Sequence, residues 1–103
     1  MKLVFEEIEL EELYIIPMDE LKGKQKYPLE VIKQYKKKVA ILIGIKTLDS
    51  LKAFRSLNFE YLKGNLKGQC SIRLNNQYRL LFIQTKDELI QVLLITEISK
   101  YYE

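Results

Sequence analysis

The chain has 103 residues, 48% of them hydrophobic and 30% charged, with 17 basic and 14 acidic side chains, one cysteine and no histidine. That length predicts one domain over 1–103 with a single core of about two layers, and the composition is that of a globular chain rather than a disordered one. The longest apolar run, residues 39–45, is too short to cross a bilayer, acids follow Met1 too soon for a signal peptide, and Cys70 alone excludes an internal disulfide and argues against zinc. A cytoplasmic protein without membrane, metal or cofactor is the expectation.

Residues 2–5 read as a short strand closed by a run of glutamates. Residues 9–16 fit a helix carrying Leu10, Leu13 and Tyr14, and Pro17 ends it. A polar loop at 22–26 leads to Pro28, which suits the first turn of a second helix running to Gly44. Within it Ile32, Tyr35, Val39 and Leu42 fall at helical spacing, while Lys33, Lys36 and Lys37 face elsewhere. Thr47 is placed to cap a short helix through Phe54, with Asp49 near its positive end.

After a glycine-punctuated loop at 63–68 the period changes to two: Cys70, Ile72 and Leu74 alternate with Ser71 and Arg73. Asn75 and Asn76 tolerate positive φ and predict a tight hairpin turn. Residues 78–84 form the next strand, 85–88 the next turn, 89–96 a strongly apolar strand, and 98–103 a polar-aromatic tail. The order β-α-α-β-β-β predicts an α+β fold: an antiparallel-rich sheet of about four strands, with two or three helices from the N-terminal half on one face.

Charge is unevenly spread. Glu6, Glu7, Glu9, Glu11 and Glu12 cluster near the start, Lys33, Lys36, Lys37 and Lys38 lie mid-chain, and residues 61–86 contain no acid while holding Lys63, Lys67, Arg73, Arg79 and Lys86. An acid-free basic surface on a small sheet suits a polyanion such as RNA, because phosphate contacts dominate nucleic-acid affinity. The acidic cluster would then face a basic partner. Cleaving RNA by transesterification requires a base for the 2′-hydroxyl, cations at the phosphorane and an acid for the leaving oxygen. Arginine serves the second need with two parallel hydrogen bonds. Arg73 and Arg79 on adjacent hairpin strands are spaced to project from one sheet face; ordinary ion pairing on an exposed face is the alternative. Without histidine, acid–base work falls to Tyr, Lys, Glu or Asp.

The run Leu62-Lys63-Gly64, followed by Ser71-Ile72-Arg73-Leu74-Asn75-Asn76-Gln77-Tyr78-Arg79-Leu80-Leu81-Phe82, resembles the signature of HigB-type toxins of the RelE/ParE superfamily. The resemblance implies the same element order and the toxin role in a type II toxin–antitoxin pair. It implies ribosome-dependent mRNA cleavage, with ribosome and mRNA as partners and a HigA-like helix-turn-helix antitoxin that binds the toxin in a hetero-oligomer. It assigns phosphate binding to Arg79 and catalysis to Lys63, whose following glycine lets a phosphate approach; Lys67, Arg73 and Lys100 are further candidate RNA contacts. Leu21-Lys22-Gly23 repeats the tripeptide without that context, so the tripeptide alone carries no weight.

The chain also departs from the pattern. Where many HigB sequences have histidine before the motif lysine it has Glu60, and where they end in Asp-Tyr-His it has Glu97 and then Ile98 to Glu103. Glu97 aligns with the aspartate, and Tyr101 or Tyr102 with Lys100 would take over proton transfer, as C-terminal Tyr, Lys and Arg do in RelE-type toxins. Phenol ionises near pH 10 unperturbed, and Lys63, Arg79 and Lys100 beside it would lower that value. The alternatives are a tail whose tyrosines only pack, Glu60 as a general base, a ParE-like gyrase inhibitor without nuclease activity, or a degenerate member that only binds antitoxin or RNA.

Overall fold

The computed structural model describes residues 1–64, 68–87 and 90–100, with backbone alone at 86, 87, 90 and 91. Helix α1 (Ile8–Ile15) buries only Leu10, with Leu13 and Tyr14 packed at the core margin. So weakly amphipathic a helix needs tertiary support, and α2 (Leu29–Gly44) supplies it. The Tyr35 hydroxyl donates to Leu10 O at 2.6 Å, and the Lys36 ammonium donates to Leu13 O at 2.6 Å, Tyr14 O at 3.1 Å and Ile16 O. Those are the carbonyls that the end of α1 leaves without intrahelical partners. In α2 itself Val31, Ile32, Tyr35, Val39 and Leu42 form the buried stripe that the spacing predicts. Pro28 stands just before its first residue rather than within the first turn.

The short helix expected from Thr47 is a 3₁₀ turn, Leu48–Ala53, followed by another at Arg55–Leu57. The Thr47 side chain makes no cap bond; the Ser50 hydroxyl donates to Thr47 O instead.

Five strands form one mixed sheet rather than about four: β1 (Lys2–Phe5), β2 (Glu60–Tyr61), β3 (Cys70–Arg73), β4 (Tyr78–Asp87) and β5 (Ile90–Lys100), in the order β1-β5-β4-β3-β2. Strand β1 is parallel to β5 and the other pairings are antiparallel. The extra strand, β2, has two residues, too few to show any period, and Leu62 N–H to Gln69 O at 2.9 Å extends its ladder. Strand β5 begins and ends beyond the apolar run. It passes a bulge where Leu81 faces Glu97 and Phe82 faces Ile95, so residues that read as a tail, Ile98, Ser99 and Lys100, are ladder partners of Leu80, Arg79 and Tyr78.

The β3–β4 turn is not built on positive φ. Among the described residues the non-glycine with positive φ is Asn58, and Asn75 instead accepts from the N–H groups of Gln77 and Tyr78, each at 2.8 Å, through its side-chain oxygen. Positive φ is needed at Gly64 and Gly68, which bracket the basic loop at φ 69° and 93°.

Cross-strand partners share a sheet face. Cys70, Ile72, Leu80, Phe82, Leu93, Ile95 and Ile98 lie on one face and form a single core with Tyr35, Val39 and Leu42 of α2. Cys70 is a free, buried thiol whose pKa burial raises.

Candidate functional site

The opposite face carries the candidate chemistry. Arg73 and Arg79 are direct cross-strand partners, and Ser99 is the partner of Arg79 on its other side. Three adjacent strands thus present the row Arg73, Arg79, Ser99. Directly opposed residues have Cβ atoms about 5 Å apart, and like charges so placed cost stability; a dianionic oxygen cluster between them would be held by both. Arg73 is exposed and donates to the Asn76 side-chain oxygen, and Arg79 is half-buried.

The next row is Glu60, Ser71, Leu81 and Glu97, one residue from each of β2, β3, β4 and β5. Glu60 is therefore diagonal to Arg73, and Glu97 diagonal to Arg79, within reach of long side chains. Three strand spacings place the two carboxylate positions roughly 14 Å apart, with the arginine row beside the gap.

Lys63 is not in this cluster. It lies two residues past Tyr61, which pairs with Cys70, whereas Arg73 is three residues away in the other direction. Two strand spacings and five residue rises separate its backbone from that of Arg79 by roughly 20 Å. Lys63 is exposed at the far end of the sheet, where it meets a different part of any bound strand. Lys100 pairs with Tyr78 on the helix-covered face, its ammonium 5.8 Å from the Tyr78 ring centroid. Lys67, Tyr101 and Tyr102 lie outside the described residues.

A cation that the sequence reading left undistinguished joins Arg73. Lys38 of α2 shares a cavity of about 410 Å³ with Glu30, Gln34, Ser56, Arg73 and Asn76. Burial lowers its pKa first, and Lys37 and Arg73 lower it further; its ammonium donates to Gln34 Oε1 at 3.2 Å. The lysine run of α2 is thus divided: Lys33 and Lys37 are exposed, Lys36 holds α1, and Lys38 approaches the hairpin. Only the placement of α2 against β3 could separate them.

A mixed sheet with two helices packed on one face is the α+β fold that this chain shares with a solved toxin of the RelE/ParE type. A YoeB/ParE toxin from Agrobacterium tumefaciens superposes with TM-score 0.55 at 18% identity, covering 99% of this chain and 100% of that one, which establishes the shared fold. The model of the HigB-like toxin family, described as RelE-like toxin of type II toxin-antitoxin system HigB, matches residues 5–95. Toxin HigB-1 of Vibrio cholerae serotype O1 is 37% identical over 82 residues, 80% of this chain and 82% of the relative. The chain belongs to the HigB-like family of type II toxins, and an antitoxin is its partner. No described helix is long and apolar enough to cross a membrane.

Proposed function

We propose that this toxin is a ribosome-dependent endoribonuclease that cuts mRNA by attack of the 2′-hydroxyl on the adjacent phosphate. The observation that carries the reading is the direct pairing of Arg73 with Arg79 on the sheet face away from the helices. Such a pair weakens an isolated sheet and becomes favourable once a phosphodiester lies over it. As the phosphorane forms, its added charge is met by the guanidinium groups of these two arginines, the kind of electrostatic contribution that most lowers such barriers.

Glu97 and Glu60 stand at opposite ends of the neighbouring row, and Tyr101 and Tyr102 follow the last described residue of β5. Proton transfer belongs to Glu97 and one of these tyrosines. Lys63, Lys67 and Lys100 contact flanking phosphates or ribosomal RNA, with Lys63 too far along the sheet to share the phosphate of Arg79. The partners are ribosome-bound mRNA in the cytoplasm and a HigA-like helix-turn-helix antitoxin in a hetero-oligomer, and no cofactor is required.

Toeprinting of an mRNA under translation tests this reading. New primer-extension stops that appear with the purified toxin only when ribosomes are present support it. Intact mRNA, together with inhibited gyrase supercoiling, would assign the chain to a gyrase-directed role instead.

A further inference from the structure

We propose that Lys38 and Arg73 form a second phosphate site, which holds the mRNA phosphodiester next to the one that lies over Arg79. The site is the cavity of about 410 Å³ between α2 and the end of the β3–β4 hairpin. Helix α2 contributes Glu30, Gln34 and Lys38, which recur every four residues and so stand in one row along the helix. The hairpin contributes Arg73 and Asn76 from the other wall.

Two cations thus face one cavity without a carboxylate to neutralise them. The ion pair among the described residues is Lys52 with Asp49, and neither Lys38 nor Arg73 takes part in one. Each is held by an uncharged amide instead: the Lys38 ammonium donates to Gln34 Oε1 at 3.2 Å, and Arg73 donates to Asn76 Oδ1. An amide oxygen orients a cation but does not cancel its charge. With those oxygens engaged, the cavity wall offers mainly donors: the two cations, the amide NH2 groups of Gln34 and Asn76, and the Ser56 hydroxyl. Such a wall suits a ligand rich in acceptors and negative charge, and a phosphodiester is both. Burial, and then the charges of Lys37 and Arg73, hold the Lys38 pKa below its ordinary value. An anion between the two cations offsets that repulsion.

The sheet fixes where this site falls along a bound strand. Strand β2 pairs only with Cys70 and Ser71, so no described strand covers the edge of β3 at Arg73. Arg73 therefore borders both the Arg73–Arg79–Ser99 row and the cavity. An RNA strand with one phosphate over Arg79 passes Arg73 next and brings the neighbouring phosphate towards Lys38. Glu30 limits the grip, because its carboxylate stands in the same cavity and repels the ligand. The inference rests on ribosome-bound mRNA being the target, and it adds a residue that positions the strand rather than one that moves a proton.

The test measures equilibrium binding of fluorescently labelled full-length toxin to two kinds of ribosome. One is programmed with an mRNA carrying 2′-O-methyl groups, which block attack by the 2′-hydroxyl, and the other is free of mRNA. Lys38→Gln should weaken binding to programmed ribosomes by about 10-fold or more, as loss of a donor to a charged group does, and Lys38→Arg should restore most of it. Glu30→Gln should tighten the same binding, a gain that no loss of folding produces. Lys37→Gln removes the same charge from an exposed position on α2 and should cost at most about twofold, since exposed charges are screened. Unchanged affinity in Lys38→Gln, or equal losses in Lys37→Gln and Lys38→Gln, overturns the inference. Equal losses on vacant and programmed ribosomes also overturn it, by assigning the cation to ribosomal RNA. If the expected affinity changes appear while unmodified mRNA stays intact, the nuclease reading fails and this one stands. If mRNA is cut and Lys38→Gln binds as the parent does, this inference alone fails.

Discussion

Replacing Arg79 by alanine separates phosphate chemistry from folding. Arg79 sits between Arg73 and Ser99 in the row facing away from the core, so a phosphodiester over that row loses one of two guanidinium partners. A unit charge about 4 Å from a developing negative charge contributes up to about 4 kcal/mol at an effective dielectric constant near 20. Removing a single preorganised donor typically lowers kcat about 100- to 1000-fold. The structural consequence runs the other way. Losing the packing of a half-buried side chain destabilises, but relief of repulsion from the directly opposed Arg73 offsets it by roughly 0.2–1 kcal/mol. A net change within about 1 kcal/mol corresponds to a melting shift of at most about 4–8 °C for a domain of this size. Single-turnover cleavage on programmed ribosomes, with a thermal melt of the same preparation, measures both. Arg79→Lys should fall between, because lysine keeps the charge and loses the two-pronged geometry. A folded Arg79→Ala protein that cleaves at the parental rate would refute the phosphate assignment.

Tyr101→Phe and Tyr102→Phe keep the rings and remove the hydroxyls, and one of the two should slow single-turnover cleavage by about 100-fold or more; parental rates for both would move proton transfer to Glu97 or Glu60. Affinity for ribosomal complexes should fall log-linearly with salt, by about 0.7 per neutralised phosphate on single-stranded RNA, and Lys38→Gln should make the slope shallower if Lys38 and Arg73 grip the same backbone. Lys36→Met should lower stability by about 1–3 kcal/mol in denaturant titrations, since it strips a charged donor from three carbonyls at the end of α1; an unchanged midpoint would show that α1 is held by packing alone. The Cys70 thiol, its pKa raised by burial, carries less thiolate at pH 8 than a free thiol does, so a thiol-specific dye should label it only after denaturation.

The sequence was most legible where one periodicity ran unbroken. Helix α2 announces its buried face through Ile32, Tyr35, Val39 and Leu42, and the paired arginines follow from a hairpin whose turn is marked by two asparagines. The mechanism of that turn was less legible, because asparagine serves turns both by adopting positive φ and by lending a side-chain acceptor, and Asn75 does the second. The length of β5 was hidden because Glu97, Ser99 and Lys100 are polar. They alternate properly around Ile98, but their ladder partners are 16 to 22 residues earlier in the chain, and a bulge breaks the register between the two halves. Site geometry depended on that hidden detail. It sends Lys100 to the helix-covered face, away from Arg79, and aligns Glu97 with Leu81. The reach of Lys63 was equally hidden, since motif proximity in sequence becomes opposite ends of the sheet once β2 and β3 run antiparallel.

The most direct test of the central claim is the chemistry of the ends produced when purified toxin meets an mRNA held in programmed ribosomes. Attack by the 2′-hydroxyl, assisted by cations and without metal, predicts an upstream fragment ending in a 2′,3′-cyclic phosphate and a downstream fragment with a free 5′-hydroxyl. Both should disappear in Arg79→Ala. Uncut mRNA, or fragments bearing 5′-phosphates, would contradict the account.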